Sequence, residues 1–156
     1  MLKDVWRGIV AGALGTLALN VTTYVDMSLR GRASSGAPAK LVTSLAQKAG
    51  LKLADSGQDQ EKVAQNRASG LGALLGYLTG LAVGGLYGLL RAGDIRLPLP
   101  VAGVGVGLTA MAASDTPLVA FGISDPKKWG VSGWASDILP HLVYGIVTSG
   151  TYEALG

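Results

Sequence analysis

The chain has 156 residues, 49% hydrophobic and 15% charged, where an ordinary soluble domain has about a quarter of its residues charged; its mean hydropathy is +0.40. With 24 glycines, one phenylalanine and no cysteine, it has the composition of closely packed membrane helices, which excludes a disordered chain, a disulfide scaffold, thiolate chemistry and zinc–sulfur sites. One histidine excludes a multi-histidine metal cage, and the net charge of +3 comes from scattered flanking residues, without the basic and aromatic surface that nucleic acid requires.

From Gly8 to Leu29 the only strongly polar residues are Asn20 and Asp26. A helix of that length, at about 1.5 Å per residue, covers the roughly 30 Å of a bilayer's hydrocarbon. Lys3 and Arg7 precede it as in a secretory leader, but the apolar run is too long and Thr22 to Met27 holds no small-x-small cleavage site, so the segment is expected to remain as a span. Residues 38–53 predict an amphipathic helix on the membrane surface, with Leu41, Val42, Leu45, Ala46 and Ala49 on one side and Lys40, Lys48 and Lys52 at its edges. Docking to anionic lipid or to a partner and a plain connecting role both fit it. Asp55 to Asn66 is polar and of mixed charge, which predicts a solvated connector leading into the next span.

That span is Ala68 to Leu90, the longest uncharged run in the chain. Within it Gly72, Gly76, Gly80, Gly84 and Gly88 recur every four residues, and the same spacing returns at Gly8 and Gly12 and at Gly103 and Gly107. On a helix such positions form a stripe without side chains against which another backbone can pack closely. Packing within one chain, an oligomer seam and a lipid or pigment surface are the three uses open to it, and Gly80→Leu is expected to collapse folding or assembly. A third span runs from about Pro100 to Phe121 and contains one charge, Asp115. A fourth runs from about Gly130 to Leu155, with Trp129 and Trp134 where an interfacial belt would sit. The expected architecture is therefore all-α, one domain over residues 1–156: an integral membrane four-helix bundle with an amphipathic interfacial helix between its first two spans. Strictly alternating strands of a β-barrel are absent, and three apolar runs near or above 18 residues argue against a soluble helical protein. Nine basic residues on the side of loop 30–67, from Arg30 to Lys128, against Lys3, Arg7, Arg91 and Arg96 on the other place that loop in the cytoplasm.

Ionisable groups inside a bilayer are costly. Helix rise places Asp26, Asp115, Asp137 and His141 towards the same half of the membrane, with His141 one turn below Asp137 and Pro140 loosening the helix between them. Three chemistries fit. Asp137 and His141 can form a proton relay or half of a cation site, completed by Asp115, with Asn20 or Tyr144 as a further member. Alternatively, Asp115 caps a helix break before Pro117 and Asp137 lies in an interfacial turn, with His141 bonded to a neighbouring helix. Or His141 ligates a chlorin or haem. No Gly-x-Ser-x-Gly elbow, His-Glu-x-x-His helix or P-loop occurs, and the Gly103-x-Gly105-x-Gly107 run has no preceding strand and no following lysine. No enzyme, cofactor or metal is therefore expected.

The opening Trp6 to Gly12 (Trp-Arg-Gly-Ile-Val-Ala-Gly), Pro38-x-x-Leu41-Val42 and Pro140-His141-Leu142-Val143-Tyr144-Gly145 together resemble a family of small bacterial inner-membrane proteins that is broadly YagU-like. The resemblance implies four transmembrane helices and a plasma-membrane location, and brings no substrate or catalytic residue with it. The leading expectation is a non-enzymatic membrane protein, a homo-oligomer or an accessory subunit packed through its glycine faces. Its rival is a small channel or proton-coupled transporter built on the Asp/His residues.

Overall fold

A computed structural model describes residues 1–54 and 59–156. Among them are five α-helices, one 3₁₀ turn and no strand: α1 (Leu2–Arg30), α2 (Ala37–Lys48), α3 (Gln60–Ala92), α4 (Leu99–Ala120) and α5 (Gly130–Ala154). Each expected span lies on one long helix. Two of these, α1 and α3, are long and apolar enough to cross a membrane. The apolar character of α4 is diluted by Ser114-Asp115-Thr116, and that of α5 by Ser132, Ser136, Asp137 and His141. The connector's Asp55 to Gln58 lie outside the described residues; from Gln60 it is already helix, continuous with α3.

Helix ends follow local chemistry. Gly31 closes α1 in the left-handed conformation, φ 63°, which glycine adopts without the steric penalty of a Cβ. Pro38 and Pro100 stand in the first turns of α2 and α4, where a missing amide loses nothing. Asp125 accepts a bond from the Lys127 amide and starts the turn Pro126–Lys128, which leads into α5.

The long helices pack α1 against α3 and α5, and α5 against α4. The first seam is antiparallel and made of glycine. A Cβ on Gly12 would stand 2.6 Å from the Gly80 carbonyl oxygen and 3.0 Å from the Gly84 Cα, and one on Gly8 would overlap the Gly84 carbonyl. Gly145 meets Gly103 and Gly107 in the same way between α5 and α4. Gly72 takes up the start of α2, at Pro38 and Ala39, while Gly76 has nothing within 4 Å. The five-glycine stripe is thus divided among α1, α2 and open surface, and most of it is consumed inside one chain. Helix α2 buries Leu41 and Ala46, leaves Leu45 exposed, and sets Lys48 over the Phe121 ring 4.1 Å away at the end of α4. It therefore bridges α3 and α4 with only part of the expected apolar face covered.

The burial pattern departs from a soluble domain's. Inside lie mostly Gly, Ala, Thr16, Thr148, Ser149, His141, Tyr87, Tyr144 and Tyr152, with Leu41, Val83 and Val106 among them. Outside are Leu17 and Val21 of α1, Leu74 and Leu78 of α3, Val101 and Leu108 of α4, and Leu139 and Ile146 of α5, all roughly half exposed or more. Leucine and valine normally fill a soluble core; small residues inside a leucine surface suit helices that approach closely within lipid.

Candidate functional site

Two polar clusters lie at opposite ends of α5. At the end shared with the long loop, α5 brings Asp137 and His141 opposite Asp115 of α4. His141 Nδ1 stands 2.8 Å from the Asp137 backbone carbonyl, to which it donates, and 3.4 Å from the Asp137 carboxylate. The Asp115 carboxyl is a neighbour of both. Among the described residues Asp137 Oδ2 is buried without a hydrogen-bond partner, an arrangement that costs free energy unless a proton or water is supplied to it.

This geometry corrects the capping reading. Helix α4 continues through Pro117 to Ala120, so Asp115 lies within a helix and caps no break. Asp137 likewise sits two turns inside α5, not in an interfacial turn. His141 bonds its own helix and not a neighbour. A porphyrin-like ligand finds no open face either, because His141 is packed within the helices at 9% exposed.

The remaining candidates lie elsewhere. Asp26 belongs to a separate ion-pair network, 2.6 Å from Arg30 Nε and 2.5 Å from Arg32 Nε, with Ser136 Oγ 3.5 Å away. Arg30 in turn donates to Ser132 and Ser136 of α5. Asn20 donates to the Tyr77 hydroxyl at 3.2 Å across α1 and α3. Tyr144 stands at mid-bundle, 1% exposed, and donates to the Gly80 carbonyl at 2.6 Å; a Cβ on Gly15 would press on its ring and on Thr148.

The second cluster, at the far end of α5, involves residues that sequence reasoning treated as flanking charges or passed over. The Arg7 guanidinium donates to the Tyr152 carbonyl at 3.1 Å and lies 4.5 Å from the centre of the Tyr152 ring. The Tyr152 hydroxyl donates to Asp4 at 3.3 Å, and its ring meets that of Tyr87 edge to face at 5.2 Å. Arg91 pairs with Glu153 at 2.7 Å. The available signal was the step along α5: Asp137, His141, Tyr144, Thr148 and Tyr152 are spaced by three or four residues and so share one side of a helix.

No protein-family model, curated protein or solved structure matches the chain.

Proposed function

We propose that the chain is a four-span, non-enzymatic protein of the bacterial plasma membrane whose Asp115–Asp137–His141 cluster exchanges protons. The spans of α1 and α3 meet the requirement by length and composition; the leucine and valine surfaces of α4 and α5 favour placing them in the same hydrocarbon layer. One observation carries the functional reading: two carboxyl groups and the only imidazole come together within the helices, with one carboxylate oxygen buried and unpartnered. Carboxylates beside an imidazole are the groups that relay protons near neutrality.

The test is flux through liposomes containing the purified chain. Proton movement that Asp137→Asn and His141→Ala each abolish supports the reading. No movement of protons, common cations or small anions with the unmodified protein overturns it. The second reading, a homo-oligomer or accessory subunit of a larger membrane complex, has less support because the glycine seams are occupied within the chain. It rests on Gly76 and Gly105, which have nothing within 4 Å. Extraction in mild detergent followed by mass measurement tests it; large co-purifying subunits or a defined oligomer would support it, and a lone monomer would not. The YagU-like resemblance and a cytoplasmic loop 30–67 are consistent with either reading.

A further inference from the structure

We propose that the buried side of α5 is a proton route through the whole bundle, joining the Asp115–Asp137–His141 cluster to Tyr87, Tyr152 and Asp4 at the opposite end. This rests on the proton-exchange reading and adds to it the other half of the path.

Among the described residues, four buried side-chain atoms lack a hydrogen-bond partner: Asp137 Oδ2, Thr148 Oγ1, the Tyr87 hydroxyl and Arg7 Nε. Native interiors pair such atoms or reach them with water, and unrelated packing faults would be scattered. These four follow α5. Asp137 and Thr148 belong to it, and Tyr87 and Arg7 both lie against its Tyr152 ring. Asp137 to Tyr152 spans about 22 Å of helix axis, most of a bilayer's hydrocarbon thickness. Between these ends Tyr144 and Thr148 are essentially inaccessible from outside, at 1% and 0% exposed, and the Thr148 hydroxyl lies beside the Tyr144 phenol. Tyr87, Tyr144 and Tyr152 belong to one continuous core.

Each hydroxyl on this line both donates and accepts. A proton arriving on a lone pair releases the proton the oxygen already carried, so each group keeps its proton count while one proton moves on, and rotation of each hydroxyl back to its starting orientation readies the line for the next. The Cβ atoms of positions one helical turn apart are about 5–6 Å apart, and where the polar tips they carry stand at a like separation a single water links them with two hydrogen bonds. The far end is open to exchange: the Tyr152 hydroxyl already donates to the Asp4 carboxylate, which is partly exposed.

The experiment uses the full-length chain in liposomes loaded with a pH-sensitive dye, with proton entry driven by a potassium diffusion potential. Thr148→Val, which keeps the shape and removes the hydroxyl, and separately the double variant Tyr87→Phe with Tyr152→Phe, are expected to lower proton flux at least tenfold. Thr148→Ser is expected to retain it. Circular dichroism and gel filtration identify any variant that fails to fold, and the outcome is then read from the other variant and from the serine control. Tyr77→Phe, at a hydroxyl away from α5, is expected to leave flux unchanged. Flux lost in Asp137→Asn but intact in folded Thr148→Val and in the double tyrosine variant overturns the route and leaves the cluster's role standing. No flux with the unmodified protein overturns both.

Discussion

Replacing Gly84 by alanine should loosen the protein, whereas the same replacement at Gly76, two turns earlier on the same stripe, should not. A Cβ at Gly84 would overlap the Gly8 carbonyl oxygen and stand 2.7 Å from the Gly12 Cα and 2.9 Å from the Gly12 nitrogen. All three are backbone atoms of a helix and cannot rotate aside. Carbon atoms settle at about 3.5–4.0 Å, so α1 must withdraw by roughly 1 Å, weakening contacts along the seam from Asp4 to Thr16. Overpacking of this kind costs about 1–3 kcal/mol, and alanine recovers up to about 1 kcal/mol through its helix propensity. With that recovery taken in full, the net loss is up to about 2 kcal/mol, a melting temperature lower by up to about 8 °C for a chain of this length. Gly76 has nothing within 4 Å, so alanine there leaves the melting temperature unchanged or raises it. Thermal unfolding followed by circular dichroism in one mild detergent compares the pair directly. If Gly84→Ala melts at or above Gly76→Ala, the helices are not held at the separation described and the argument from backbone contact fails.

The α4/α5 seam predicts the same contrast. Gly145→Ala, whose Cβ would stand 2.8 Å from the Gly107 Cα, should lower the melting temperature, whereas Gly105→Ala, with nothing within 4 Å, should not. Tyr144→Phe removes the donor to the Gly80 carbonyl and should cost about 1 kcal/mol, measured by the same unfolding assay. Asp26→Asn should weaken the Arg30 and Arg32 pairs, a small loss of stability that shrinks further in high salt, and it should leave proton flux in liposomes unaltered because Asp26 lies outside the Asp115–Asp137–His141 cluster.

Much of the helical layout was legible in the sequence because long apolar runs and glycines at intervals of four depend on local chemistry alone. The expected segments 8–29, 68–90, 100–121 and 130–155 lie on α1, α3, α4 and α5. Which glycines touch what was not legible. Gly15 and Gly145 carry close contacts yet stand outside the regular repeats, because contact depends on the facing helix and not on spacing within one. The polar residues illustrate the same limit. Depth along a helix grouped Asp26 with Asp115, Asp137 and His141, but depth says nothing of azimuth, and Asp26 faces Arg30 at the end of α1 and Arg32 just beyond it. Arg7 and Arg91 looked like ordinary flanking charges until α5 was placed between them, with the Tyr152 ring under both.

The glycine seams and the polar side of α5 have one physical origin. Where α1 meets α3 and α5 meets α4, the backbones approach so closely that no side chain fits between them. Four helices cannot all approach one another this closely, so the space between the seams must be filled. Beside Val83 and Val106 it is filled by Tyr87, His141, Tyr144, Thr148 and Tyr152, four of these last five on α5. Leucine would fill the same volume without polar atoms to satisfy and without the cost of leaving Thr148 Oγ1 and the Tyr87 hydroxyl unpartnered. Packing alone therefore explains why the interior of this bundle is occupied, but not why it is occupied by hydroxyls and an imidazole in step along one helix; the proton route proposed above would supply that reason.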